Sequence, residues 1–294
     1  DKFEIEQTTD LNYGDATAQI QLLGVNTMHN LGFHGENQLI AVLDDGFYNV
    51  NTSACLQHLF TNSRVLKTYD FVDNDATVYA QGGHGTAVLS TIAGYVANQM
   101  ISPAYEASFA LFRTEDGPTE TRLEEANWLF AAEMADSLGA DIINTSLGYS
   151  TFDDPSENYT TAQMDGNTAL CTRAADLAAE RGIVVVISAG NSGNSSWGII
   201  TAPADADSVL AVGAISRAGA YISFSSRGNT ADGRVKPDVV AVGSQTALCN
   251  IYGNASTSSG TSFAAPLISG LVAGFWQANP HLTANEVLTC IRKS

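Results

Sequence analysis

The chain has 294 residues, 45% of them hydrophobic and 15% charged, with 13 Lys+Arg against 31 Asp+Glu and a net charge of −18. That apolar content is ample for one large buried core. The acidic balance excludes a nucleic-acid binder, which needs a basic footprint, and no apolar stretch is long enough to span a bilayer.

In chain order, residues 1–35 read as an N-terminal arm and helix packing on the outside of one domain formed by residues 36–294. The opening Asp1-Lys2-Phe3-Glu4 is not a signal peptide, so the expectation is a mature or trimmed domain. Apolar runs rich in β-branched residues predict strands at Leu39–Leu43, Val65–Phe71, Ala107–Phe112, Asp141–Ser146, Ile183–Ser188 and Val209–Ile215. Helical periodicity predicts helices at Thr86–Asn98, Arg122–Leu138, Thr168–Arg181 and Phe263–Gln277. Strands alternating with helices give a doubly wound, mostly parallel α/β sheet with helices on both faces.

Four cysteines, Cys55, Cys171, Cys249 and Cys290, lack the spacing of a zinc or thioredoxin-like site. An even count suits two disulfides in an oxidising compartment, with three connectivities open, although four free thiols would read the same way.

Four segments carry candidate chemistry. Asp44 follows the first strand directly, at the sheet edge where open α/β sheets keep their sites, although Asp44-Asp45-Gly46 is also good turn chemistry. His84 lies between Gly83 and Gly85 at a helix start, a setting that His29, His34, His58 and His281 lack; those four read as surface or packing residues. Ser262, in Gly260-Thr261-Ser262-Phe263-Ala264-Ala265-Pro266, heads a long apolar helix whose positive end would stabilise a developing oxyanion. Asn191 follows Val184–Ser188 on a Gly-flanked turn, from which its amide can reach an oxyanion. Taken alone, Ser262 is a helix cap and Asn191 a turn residue.

The order Asp44…His84…Ser262 is one of the three chain orders in which a catalytic triad occurs. Together with Asp141–Gly148, Phe224–Gly228 and Val235–Gly243, these segments resemble the subtilisin-like serine peptidases (subtilases), secreted bacterial members in particular. The resemblance implies a three-layer α/β/α fold and a serine endopeptidase, with His84 as general base, Asp44 orienting it, Ser262 as nucleophile and Asn191 in the oxyanion hole. It implies that Ser146, Leu147 and Gly148 pair with substrate as an added strand. The opposite wall falls in Gly117–Thr121, and Ser188, Ala189 and Gly190 line the pocket with positions near Ser192 and Thr201. None of those pocket residues is acidic, so a neutral or apolar side chain is expected on the acyl side of the cut.

Also implied are a cis Ala202–Pro203 bond, a secreted or cell-surface location, and a removed propeptide that aids folding and inhibits. The chemistry needs no cofactor. Tyr95–Ile101 is shorter than the loop carrying a strong calcium site in many subtilisins, which argues against that site; structural calcium elsewhere fits the 31 carboxylates, without assignable ligands. Asp45 replaces the usual Thr or Ser, and strand alternation is expected to turn it away from Asp44. Phe263 replaces the commoner Met.

A nucleotide-binding enzyme is excluded by the lack of a Gly-x-Gly-x-x-Gly or Walker loop, and an α/β-hydrolase by the elbow spacing. A catalytically dead binding module on the same fold is disfavoured because all four positions hold competent residues.

Overall fold

Five of the six apolar runs form strands buried on both faces, as parallel strands between two helical layers must be, while Val65–Asp70 forms a partly exposed edge strand. The computed structural model describes residues 11–294, so the first ten residues of the expected arm lie outside the described residues. Seven parallel strands, β1 (Leu39–Asp44), β2 (Val65–Asp70), β3 (Ser108–Arg113), β4 (Ile142–Thr145), β5 (Val184–Ser188), β6 (Leu210–Ile215) and β7 (Val239–Val242), form one sheet in the order β7-β6-β5-β4-β1-β3-β2.

Alternate residues of one strand feed opposite cores. Ile40 and Val42 pack with Val88 of α1 (Gly83–Ala93), while Ala41 and Leu43 pack with Trp128 of α2 (Arg122–Leu138) and Ala175 of α3 (Leu170–Glu180). Helices α4 (Thr261–Ala278) and α5 (Ala284–Arg292) complete the first layer through Leu267 and Val287, giving the three-layer α/β/α arrangement. The chain leaves β1 towards β3 on one side and reaches β4 on the other, so β1 is the strand at which the winding reverses. A crevice opens beyond the carboxyl ends of strands at such a point, and Asp44 ends β1.

Ala16, Ile20 and Val25 belong to the same core as α1 and α4, and buried Gln19 makes two hydrogen bonds to the Ala247 backbone, at 3.0 and 2.7 Å.

Local physics explains the departures from expectation. The helix predicted to reach Asn98 stops at Ala93. Beyond Gly94, Tyr95–Val96 pairs antiparallel with Met100–Ile101, with Asn98 at a φ of 62°. Strand β7 is four residues long and half exposed at the sheet edge, too short for a periodicity signal. One disulfide forms rather than two: Cys55 is bonded to Cys249, tying the loop after β1 to the hairpin before α4. Cys171 and Cys290 are free because Cys171 is buried in the core under α3 whereas Cys290 faces outwards on α5.

Candidate active site

Asp44 is fully buried, and its Oδ1 accepts a 2.7 Å hydrogen bond from His84 Nδ1 and a 2.9 Å bond from the Asp45 amide. The close approach explains the glycines. A Cβ at Gly85 would collide with the Gly46 carbonyl and the Asp44 side chain, so only glycine lets α1 bring His84 this near. Burial pulls the His84 pKa down, but the Asp44 carboxylate outweighs it with help from Asp45, and the imidazole titrates at about 9.

Asp45 does not turn away as strand alternation suggested. Gly46 adopts a φ of 126°, ending the pleat, and Asp45 Oδ1 accepts from Gly85 N at 3.0 Å. Asp44, Asp45 and His84 offer atoms all within 4.8 Å of one another. Burial and the neighbouring Asp44 charge raise the Asp45 pKa to about 6.

Ser262 stands at the second position of α4, where Pro266 has a specific consequence. Proline has no N–H, so the Ser262 carbonyl lacks its partner four residues on. Ser146 Oγ supplies one at 2.8 Å, and Ser262 Oγ donates to the Ser146 carbonyl at 3.2 Å. This reciprocal pair docks the head of α4 against the end of β4. Here the serine hydroxyl rests on Ser146 rather than on the imidazole, while His84 packs against Phe263 with ring centroids 5.7 Å apart.

Asn191 is held by its oxygen. Oδ1 accepts from Thr261 N at 2.8 Å and from Thr261 Oγ1 at 3.1 Å, which leaves Nδ2 to face the exposed side.

Ser146–Tyr149 and Gly117–Glu120 face each other across a groove of about 310 Å³ that His84 and Asp45 also line. Ser188 Oγ reaches the Leu147 carbonyl at 3.4 Å and Gly190 N reaches Thr261 Oγ1 at 3.2 Å, so the two predicted pocket segments adjoin. Ala189 is buried in the core and offers the pocket only backbone. Thr201 sits against Gly148, and the Ala202–Pro203 bond is cis. Sequence reasoning missed the acidity of the groove, which Glu115, Asp116, Glu120 and Glu124 line with Asp45. Burial raises Glu115 to about 8, against hydrogen bonds from Tyr149 and Thr114, and burial with nearby Glu124 raises Glu120 to about 7. A clustered set of carboxylates around an approachable groove was the available signal, but it is spread over ~80 residues of chain.

The fold places the molecule among three-layer α/β/α proteins, with the hydrogen-bonded Asp44–His84 pair at the switch strand. The chain matches the family model described as the subtilase family over residues 35–294. Serine protease AprX of Bacillus subtilis (strain 168) is 30% identical over 282 residues, a match covering 86% of this chain and 60% of that protein. A subtilisin of Bacillus pumilus is 31% identical over 263 residues, covering 88% of this chain and 84% of that one. The solved structure of a cold-adapted subtilisin-like serine proteinase aligns with a TM-score of 0.70 at 26% identity, over 89% of this chain and 83% of the other. The chain thus spans less than two thirds of some relatives, 60% of AprX and 43% of alkaline serine exoprotease A of Vibrio alginolyticus. It belongs to the subtilase family.

Proposed function

We propose that the chain is a serine endopeptidase that hydrolyses peptide bonds of protein substrates through Asp44, His84 and Ser262. The observation that carries this is the 2.7 Å bond from His84 Nδ1 to a fully buried Asp44, in a groove shared with Ser146. That bond fixes the tautomer in which Nε2 is free to accept a proton.

In this reading, substrate pairs along Ser146–Gly148 as an added strand and displaces the Ser262 hydroxyl from the Ser146 carbonyl towards His84. Ser262 Oγ attacks the scissile carbonyl carbon as His84 Nε2 takes its proton. The oxyanion accepts hydrogen bonds from the Ser262 N–H and from Asn191 Nδ2, which Thr261 has already aimed by holding Oδ1. Collapse breaks the C–N bond, the amine leaves with the proton from His84, and an acyl ester remains on Ser262. Water, deprotonated by His84, hydrolyses that ester and restores the hydroxyl. No cofactor takes part, and structural calcium remains an expectation of the family likeness.

Ser188–Gly190 and Gly148 present no charge, which favours a neutral or apolar residue on the acyl side of the cut. The acidic wall opposite favours cationic side chains further along the bound strand. Digestion of an unbiased peptide library reads both preferences at once. A strict acidic preference at any position along the groove would contradict them.

The Cys55–Cys249 bond suits a location outside the reducing cytoplasm, secreted or at the cell surface, and no helix among the described residues is long and apolar enough to cross a membrane. A propeptide that folds and inhibits the domain fits the same reading. The test of the function is Ser262→Ala, which should lower turnover on an unstructured protein substrate by about 10⁶, the figure known for the same loss in subtilisin. Full activity in that variant would end the proposal.

A further inference from the structure

A second group of ligand-type side chains lies at the other end of the sheet, before the amino ends of β1 and β3. His34 Nδ1 is 3.3 Å from Glu36 Oε1 and 4.0 Å from Glu106 Oε2, and the three donor atoms lie within 4.8 Å of one another. Ligands bound tetrahedrally at about 2.0–2.1 Å from a zinc ion are about 3.3 Å apart, so the first pair already has the required spacing. The second, at 4.0 Å, needs to close by about 0.7 Å, which a glutamate side chain supplies.

The surroundings hold these groups in place. The His34 ring packs against His29 and Tyr105, with centroids 5.1 and 5.0 Å away. Glu36 Oε2 accepts from the His34 amide at 3.1 Å and from Gln277 Nε2 at 2.5 Å, and Gln277 is itself fixed by Gly35 N at 2.7 Å. Outer hydrogen bonds of this kind orient metal-binding carboxylates and leave the other oxygen to the ion. His29 is not a further donor, because its two ring nitrogens already meet Tyr13 Oη at 2.9 Å and the Pro103 carbonyl at 2.8 Å.

Charge points the same way. Glu36 and Glu106 bring carboxylate oxygens within 4.8 Å of each other, a repulsion that a bound cation relieves. Arg64 compensates loosely, its Nη2 lying 3.8 Å from Glu106 Oε2. The three side chains are 17%, 30% and 36% exposed, so a hydrated ion can reach them and keep a water.

We propose that His34, Glu36 and Glu106 bind a divalent transition-metal ion, zinc by the chemistry of the donor set, with water as fourth ligand. Calcium takes six to eight oxygen ligands and has no use for the imidazole, whereas one nitrogen and two carboxylates suit zinc. The ion ties the segment before β1 to the segment before β3, and through Gln277 to the end of α4. Its role is structural, since the groove lies beyond the opposite ends of the same strands.

The test uses the full chain carrying His84→Ala, which removes self-digestion and breaks up Asp44–Asp45–His84, the other group able to hold an ion. Calorimetric titration with Zn²⁺ should give one site per chain, and Co²⁺ should give the visible bands of a four-coordinate N/O site. Introducing His34→Ala or Glu106→Gln should weaken zinc binding about tenfold or more and abolish the cobalt bands. Melting and circular dichroism without metal identify any variant that fails to fold, and the other then carries the comparison. Absence of zinc binding, or equal affinity in the folded variants, would overturn the proposal.

Discussion

Replacing Asp45 by asparagine removes one of two carboxylates beside His84 while keeping an acceptor for the Gly85 amide. Asp45 and His84 offer atoms within 4.8 Å of each other. At that separation a unit charge stabilises the imidazolium by about 3 kcal/mol at an effective dielectric of 20, and by about 1 kcal/mol in bulk water. The His84 side chain is 34% exposed, so solvent screening favours the lower end, or about one pH unit. His84 titrates at about 9 and Asp45 at about 6, so Asp45 is ionised throughout the range in which His84 loses its proton. Because the base must be neutral, kcat/KM rises with pH through the His84 pKa. Asp45→Asn should shift the midpoint of that rise down by about one pH unit. The assay is kcat/KM on a neutral peptide across the neutral and alkaline range. A midpoint that stays in place or moves up would refute the coupling.

The same raised pKa fixes a stability trend. The His84–Asp44 pair stabilises the fold fully below about 6.5 and loses that contribution as pH rises through about 9, which thermal melts of Ser262→Ala can follow. Asn191→Ala should lower kcat by about 10²–10³ with little change in KM, the size known for this type of donor in subtilisin; an unchanged kcat would remove Asn191 from the oxyanion hole. Ser146→Ala leaves the Ser262 carbonyl without a partner and should cost about 1–3 kcal/mol in denaturant unfolding. Adding Pro266→Ala, which restores the helical N–H, should recover part of that loss; strict additivity would show that the two do not serve the same carbonyl. Reducing Cys55–Cys249, which closes a loop of sequence separation 194, should lower stability by about 2–5 kcal/mol, measured as a shift in the denaturation midpoint.

Much of this candidate site is legible in sequence because its residues, each ordinary when taken alone, sit in local settings that combine in one order. Asp44 ends a run of apolar strand residues, His84 sits in a glycine-flanked helix start, and Ser262 heads a helix whose Pro266 makes its carbonyl need Ser146. Asn191 is placed by its turn and oriented by Thr261, a partner 70 residues away. Features built from distant, individually ordinary residues are not legible. Strand alternation turns Asp45 away only where the pleat continues past Asp44, and Gly46 breaks the pleat there. His34 reads as a surface or packing histidine until the fold sets Glu106 beside it. Cys171 and Cys290 suggest a pair by number alone, and only their burial, one inside and one outside, separates them.

The central claim is that Ser262 is the nucleophile and that His84 and Asp44 activate it. The most direct measurement is reaction of the chain with a serine-directed phosphonate, followed by mass mapping of the modified peptide and residual peptidase activity on the same samples. The expected result is a single adduct on Ser262, loss of activity in proportion to labelling, and far slower labelling in His84→Ala. Labelling of another serine with loss of activity, or full labelling of Ser262 with activity intact, would contradict it.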